Sequence, residues 1–297
     1  MSMLNCTGNS LILVWKVMTD ALAKLDILNA VLACMDVRDL VPFALTCRFN
    51  HASVRAELRR RITIVLSSHI PRTNISDFLN LLCDTDSVVS GSSALAVLSW
   101  NTQCDFRGWP TARDLDIYVP RGGTQPFIDF LQHLDYAPKF TPVSRQIHYA
   151  RINGVRTVST LIRLPESIPF APTTVDIIES TRRSAMWPLC HFWGTVVNNF
   201  ISARSLVSAY PVETLDGVCV VNPDIDVFEN VLDKYRARGF KLVMRKMRVA
   251  DYFKTVDKSR SSLFLTHSSK CGDAVVDRFR RSRRAPGTAW RWVDWEV

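Results

Sequence analysis

Asp114 and Asp116 stand two residues apart inside the apolar run Asp114-Leu115-Asp116-Ile117-Tyr118-Val119. In a β-strand, residues i and i+2 project from the same face. The two carboxylates therefore share a face and repel each other unless a cation lies between them. Oxygen ligands on a rigid strand suit Mg²⁺, which takes one or two carboxylates and fills its shell with water and phosphate oxygens. Gly91, Ser92 and Ser93 lie upstream, after the short apolar run Ser87-Val88-Val89-Ser90. Glycine has no Cβ, so backbone amides there can approach an anion closely. Asp176 lies downstream, between Val175 and Ile177.

The elements that must position these residues are legible in outline. Ser87–Ser90 reads as a short strand, and Ala94–Trp100 as the helix after the Gly-Ser turn. Leu115–Val119 is a strand stopped by Pro120, with a turn at Arg121-Gly122-Gly123. Phe127, Phe130, Leu131 and Leu134 mark an amphipathic helix. Asn153-Gly154 between β-prone runs, 146–152 and 155–162, predicts a hairpin. A Pro-rich connection, 165–172, leads to the strand 174–178. Residues 187–203 read as a helix starting near Pro188, with His191 on it. A further helix is expected at 227–238.

Before this unit, residues 20–66 read as helices. Leu25, Leu28, Val31 and Leu32 recur at helical spacing. Asp36–Asp39 supplies a helix start, and Pro42 is expected near that start, because deeper in a helix it removes a hydrogen bond. Residues 74–83 read as an amphipathic helix after Asn74 or Ser76.

The order of strand, Gly-Ser turn, helix, Asp-x-Asp strand, hairpin and Asp-bearing strand resembles the nucleotidyltransferase superfold, the DNA polymerase beta-like family. The resemblance implies that Gly91, Ser92 and Ser93 bind the nucleotide. It implies that Asp114, Asp116 and Asp176 are catalytic and hold two Mg²⁺ ions, with an NTP as substrate and an unknown hydroxyl as acceptor. Asp176 would serve as a metal ligand or as general base. The gap from Gly91 to Asp114 is longer than the family's, which requires an insertion near 101–110. Residues 25–49 resemble an F-box through Leu25-Asp26-Ile27-Leu28, Met35–Leu40 and Ala44–Phe49, although Ala23-Lys24 replaces the usual Leu-Pro. That likeness implies docking to the adaptor subunit of a cullin-type ubiquitin ligase. The combination resembles a fungal group of proteins. A non-catalytic adaptor whose second domain only binds nucleotide or substrate is the alternative.

The expected fold class is thus α+β. An uninterpreted tail at 1–19 precedes a helical F-box-like segment at 20–66. A nucleotidyltransferase-like mixed sheet with flanking helices follows at 74–215, and then a basic, Trp-containing region at 216–297. With 47% hydrophobic and 22% charged residues among 297, disorder is not expected. Residues 233–297 hold 17 Lys/Arg against 7 Asp/Glu, a net +10, whereas residues 1–232 are at −1. The clusters 245–248 and 278–284, with Trp290, Trp292 and Trp295, suit a nucleic-acid backbone or polyphosphate, or else a solvated basic face or tail. The run Leu11–Trp15 is too short to span a bilayer, so no membrane association is expected. None of the eight cysteines forms a CxxC pair, and reduced thiols inside the cell, in cytoplasm or nucleus, are expected.

Overall fold

A computed structural model describes residues 25–100, 114–139, 154–164, 173–245 and 263–266. It is a mixed α+β chain, with N-terminal helices packed on a mixed sheet. Within the described residues no helix is long and apolar enough to cross a membrane. The expected loop at 101–112, the first hairpin arm, the Pro-rich connection, the N-terminal tail and the basic and Trp clusters beyond Arg245 lie outside the described residues.

Helices α1 (Leu25–Cys34), α2 (Val37–Ala44) and α3 (Arg48–Leu66) form the N-terminal layer. Asp36 caps α2, its carboxylate accepting from the Asp39 amide at 3.0 Å. Pro42 is not near that start. It is the sixth residue of α2, and the helix ends two residues later, as expected where a proline withholds its N–H from the ladder. Leu28, Leu32, Leu40, Val54, Leu58 and Ile62 are buried together. Arg59-Arg60-Arg61 is not a uniformly solvated run. Arg61 is fully buried, donating to Glu57 at 2.6 Å and to the carbonyls of Leu32 and Met35 at 2.7 and 2.8 Å. Those carbonyls belong to the end of α1, where helix geometry leaves acceptors without intrahelical donors.

Helix α4 (Ile75–Asp84) leads into β1 (Val88–Ser90), α5 (Ser92–Leu98), β2 (Asp114–Val119) and α6 (Gln125–Gln132). Then come β3 (Ala137–Pro138), β4 (Val155–Arg163) and β5 (Thr173–Ser180). The expected Gly154 turn residue has φ +97° and immediately precedes β4. Strands β6 (Asn199–Ile201), β7 (Ser205–Ser208) and β10 (Leu263–Thr266) complete an eight-stranded sheet ordered β10-β7-β6-β1-β2-β5-β4-β3. Among the described residues, only β2 and β5 in that sheet pair in parallel. They are central, and Leu115, Ile117, Val175 and Ile177 are fully buried on the face opposite the aspartates.

Residues 187–203 do not form the expected helix. Short 3₁₀ turns at Pro188–His191 and Thr195–Val197 flank Gly194, and Asn199–Ile201 becomes β6. Gly194 and the β-branched Thr195-Val196-Val197 disfavour a helix. The edge of β1 offers hydrogen bonds instead, pairing Val89 with Ile201 and Ser90 with Phe200.

After α7 (Pro211–Leu215), the strands β8 (Val218–Val221) and β9 (Lys241–Met244) pair in parallel around α8 (Glu229–Ala237), the helix expected at 227–238. An apolar cluster joins Leu95, Val196 and Val197 to Cys219, Val221, Leu232, Tyr235 and Phe240. Packing is therefore continuous across residue 216. Five described cysteines are free thiols, with Cys34 and Cys47 exposed and Cys219 buried.

Candidate functional site

The site forms where β1 ends beside the middle of β2. Ser90 pairs with Asp116 across the antiparallel ladder. Gly91 follows with φ +68°, and a Cβ placed on it would collide with Asp116 Oδ2. Glycine is required there twice over, by its backbone and by the carboxylate lying against it. The parallel β2–β5 register sets Asp116 beside Asp176 and Asp114 beside Thr174. Partners in register share a face, so Asp114, Asp116 and Asp176 project from the same side of the sheet. Asp114 and Asp116 are half-buried, and Asp176 is fully buried. Thr160, opposite Asp176 on β4, donates to Asp176 Oδ1 at 2.7 Å. That bond offsets part of the cost of burying a carboxylate.

The Gly-Ser turn divides its two serines. Ser92 opens α5 at the edge of the site. Ser93 is buried, its hydroxyl without a hydrogen-bond partner among the described residues. Among the described residues no group of three or more His, Cys, Asp or Glu side chains is placed so that it could hold a metal ion. The donors that fit Mg²⁺ are the same-face pair Asp114 and Asp116, since this ion is usually held by one or two carboxylates plus water and phosphate. His191 stands elsewhere. It packs edge-on against Trp187, ring centroids 4.9 Å apart, and both rings crowd Gly154. Burial pushes its imidazole below the ordinary value.

Two residues that the sequence reading does not single out close the site from the C-terminal side. Tyr235, on α8, is buried between Trp193 and Phe240, centroids 5.2 and 6.1 Å away. Its hydroxyl hydrogen-bonds to Ser92. Burial first, and the Asp116 and Cys219 charges after it, push the phenol up to about 12 against the pull of Arg238 and Ser92. Arg238 caps the C-terminus of α8. Its Nη1 donates to Ser92 Oγ at 3.3 Å, and its guanidinium carbon lies 5.1 Å from the Tyr235 ring centroid. Burial pushes this guanidinium below its ordinary value, while the charges of Tyr235 and Asp114 favour the cation. The only signal in the sequence is Tyr235 and Arg238 at i and i+3 on one helix, which puts them on one face.

The site thus combines three aspartates on adjacent strands, a glycine turn against one of them, and a serine bridged to a tyrosine and an arginine from a distant helix. No family model, no curated protein and no solved structure matches this chain.

Proposed function

We propose that this protein is a Mg²⁺-dependent nucleotidyltransferase that moves a nucleotide from an NTP to a hydroxyl acceptor. The observation that carries the reading is the register of β1, β2 and β5, which sets Gly91, Asp116 and Asp176 side by side. Asp114 and Asp116 would hold Mg²⁺, which when bound neutralises charge on the phosphates. Gly91 lets the Asp116 carboxylate lie against the turn whose backbone amides would meet phosphate. Ser92 offers a hydroxyl to the same oxygens. Asp176, one strand over, would serve as base for the acceptor hydroxyl. The acceptor oxygen forms its bond to the α-phosphorus as pyrophosphate leaves, and the acceptor proton passes to the base. Metal-dependent release of pyrophosphate, lost in Asp116→Asn, is the expected result. Absence of binding and turnover with every NTP in the wild-type protein overturns the reading.

A second reading rests on a separate surface. Ile27 and Val31, at i and i+4 on α1, are 45% and 40% exposed, and Leu45 and Phe49 are exposed on the same F-box-like segment. Those side chains support an adaptor role through residues 25–49. Association with the ligase adaptor, abolished by Ile27→Asp with Val31→Asp, is the expected outcome; no association with the intact chain counts against it.

A further inference from the structure

We infer that Arg238 is the polyphosphate-binding residue of this site, contributed by the C-terminal unit and held ready by Tyr235 and Ser92. The inference rests on the nucleotidyltransferase reading for the identity of the ligand, a nucleoside triphosphate, and on geometry for the residue. Arg238 bonds to Ser92, which adjoins Gly91, which in turn lies against Asp116. The guanidinium therefore stands at the turn where phosphate would enter. It is seated on the Tyr235 ring, and Tyr235 is itself locked by Trp193 and Phe240. A cation fixed by stacking and one hydrogen bond has lost most of its rotamer freedom before the ligand arrives.

The charge balance gives Arg238 a second partner in each state. Without metal, the attraction of Asp114 favours its cation. With Mg²⁺ held by Asp114 and Asp116, the Arg238 guanidinium would be free to pair with phosphate oxygens, and its planar fork could meet two of them at once. Of the basic residues on α8, Arg238 alone turns toward the carboxylates, while Lys234 and Arg236 are exposed. It also makes residues 217–245 part of the site, because β8, α8 and β9 carry Arg238 there on a packed apolar cluster. An ammonium at this position would keep the charge but lose the fork and the stacked plane.

The test is calorimetry on the full chain with three probes: Mg²⁺-NTP, inorganic triphosphate with Mg²⁺, and the matching nucleoside. Arg238→Gln is expected to weaken the first two at least tenfold and leave the third unchanged. Arg238→Lys, which keeps charge and fold, is expected to fall between. Unchanged affinity for both phosphate probes in Arg238→Gln overturns the assignment. If the wild type binds inorganic triphosphate but no NTP, and Arg238→Gln loses that binding, Arg238 stands and the nucleotidyltransferase reading falls. If the wild type binds neither phosphate probe, both fall.

Discussion

The carboxylate of Asp116 lies directly against Gly91, so close that a single methyl group on the glycine would overlap Asp116 Oδ2. One residue's lack of a side chain thus fixes the position of another residue's charge. The contact joins two strands whose ladder already pairs Ser90 with Asp116. It packs an acid of β2 against the backbone turn that ends β1.

Gly91→Ala is therefore expected to fail twice. Its φ of +68° is strained for alanine, and its Cβ displaces Asp116. Gly122→Ala is the control, since Gly122 has φ +83° but nothing within 4 Å of an added Cβ. Both should lose about 1–3 kcal/mol to backbone strain. Only Gly91→Ala should also lose Mg²⁺-dependent NTP binding, by more than tenfold. Chemical denaturation and calorimetry on the two variants separate the effects. Equal NTP affinity in both variants would show that the Asp116 contact has no functional weight.

This site is legible in part in the sequence. Asp114 and Asp116 announce themselves because acids at i and i+2 interrupt a run that is otherwise built for burial. Helices α4 and α6 are equally plain, since Phe78, Leu82, Phe127 and Leu131 fall on one face and are buried. Residues 187–203 mislead because Pro188 and the apolar spacing suit a helix. The pairing of Phe200 and Ile201 with β1 is a long-range gain that no local pattern displays. Arg238 was hidden for the same reason, its bond to Ser92 spanning 146 residues. Arg61 looks like one of three solvated cations until α1 is packed over it.

The burial of Arg61 yields a stability prediction. It is fully buried and donates to Glu57 and to the Leu32 and Met35 carbonyls. Arg61→Met fills much of the volume but leaves Glu57 with Arg60 as its ion-pair partner and strips two carbonyls of a donor. Removal of one partner from a buried ion pair costs about 3–5 kcal/mol, and Arg60 should hold the loss near the lower end. Urea unfolding measures it. Stability within 1 kcal/mol of wild type (roughly the worth of one net hydrogen bond) would mean that the bridge is dispensable.

Glu179 sets a pH dependence. Burial pushes its carboxyl up, but the Gly122 amide at 2.7 Å, the Thr157 hydroxyl at 2.8 Å and the Arg156 guanidinium at 2.9 Å outweigh burial and hold it below its ordinary value. A folded-state value below the unfolded one means that the folded chain binds this proton less readily. Its stabilisation is complete above the ordinary value of 4.5 and is lost as pH falls through the lower folded value. Glu179→Gln should therefore weaken the fold at neutral pH and flatten the acid limb. Denaturation midpoints at neutral pH and below the ordinary carboxylate range should fall further for wild type than for the variant. Parallel acid limbs in the two proteins would remove Glu179 from the account.

The Thr160–Asp176 bond sets apart a structural carboxylate from one that is held for chemistry. Thr160→Val is nearly isosteric and removes one donor from a fully buried acid. The cost expected for leaving such a group short of a partner is about 1–3 kcal/mol. Thr160→Ser keeps the hydroxyl and should recover most of it. If Asp176 acts on the acceptor hydroxyl, pyrophosphate release should fall further in Thr160→Val than NTP affinity does, because only its orientation is disturbed. Equal losses in rate and in affinity would assign Asp176 to ligand binding. An unchanged rate in a destabilised Thr160→Val would make Asp176 a structural acid, its charge serving the sheet alone.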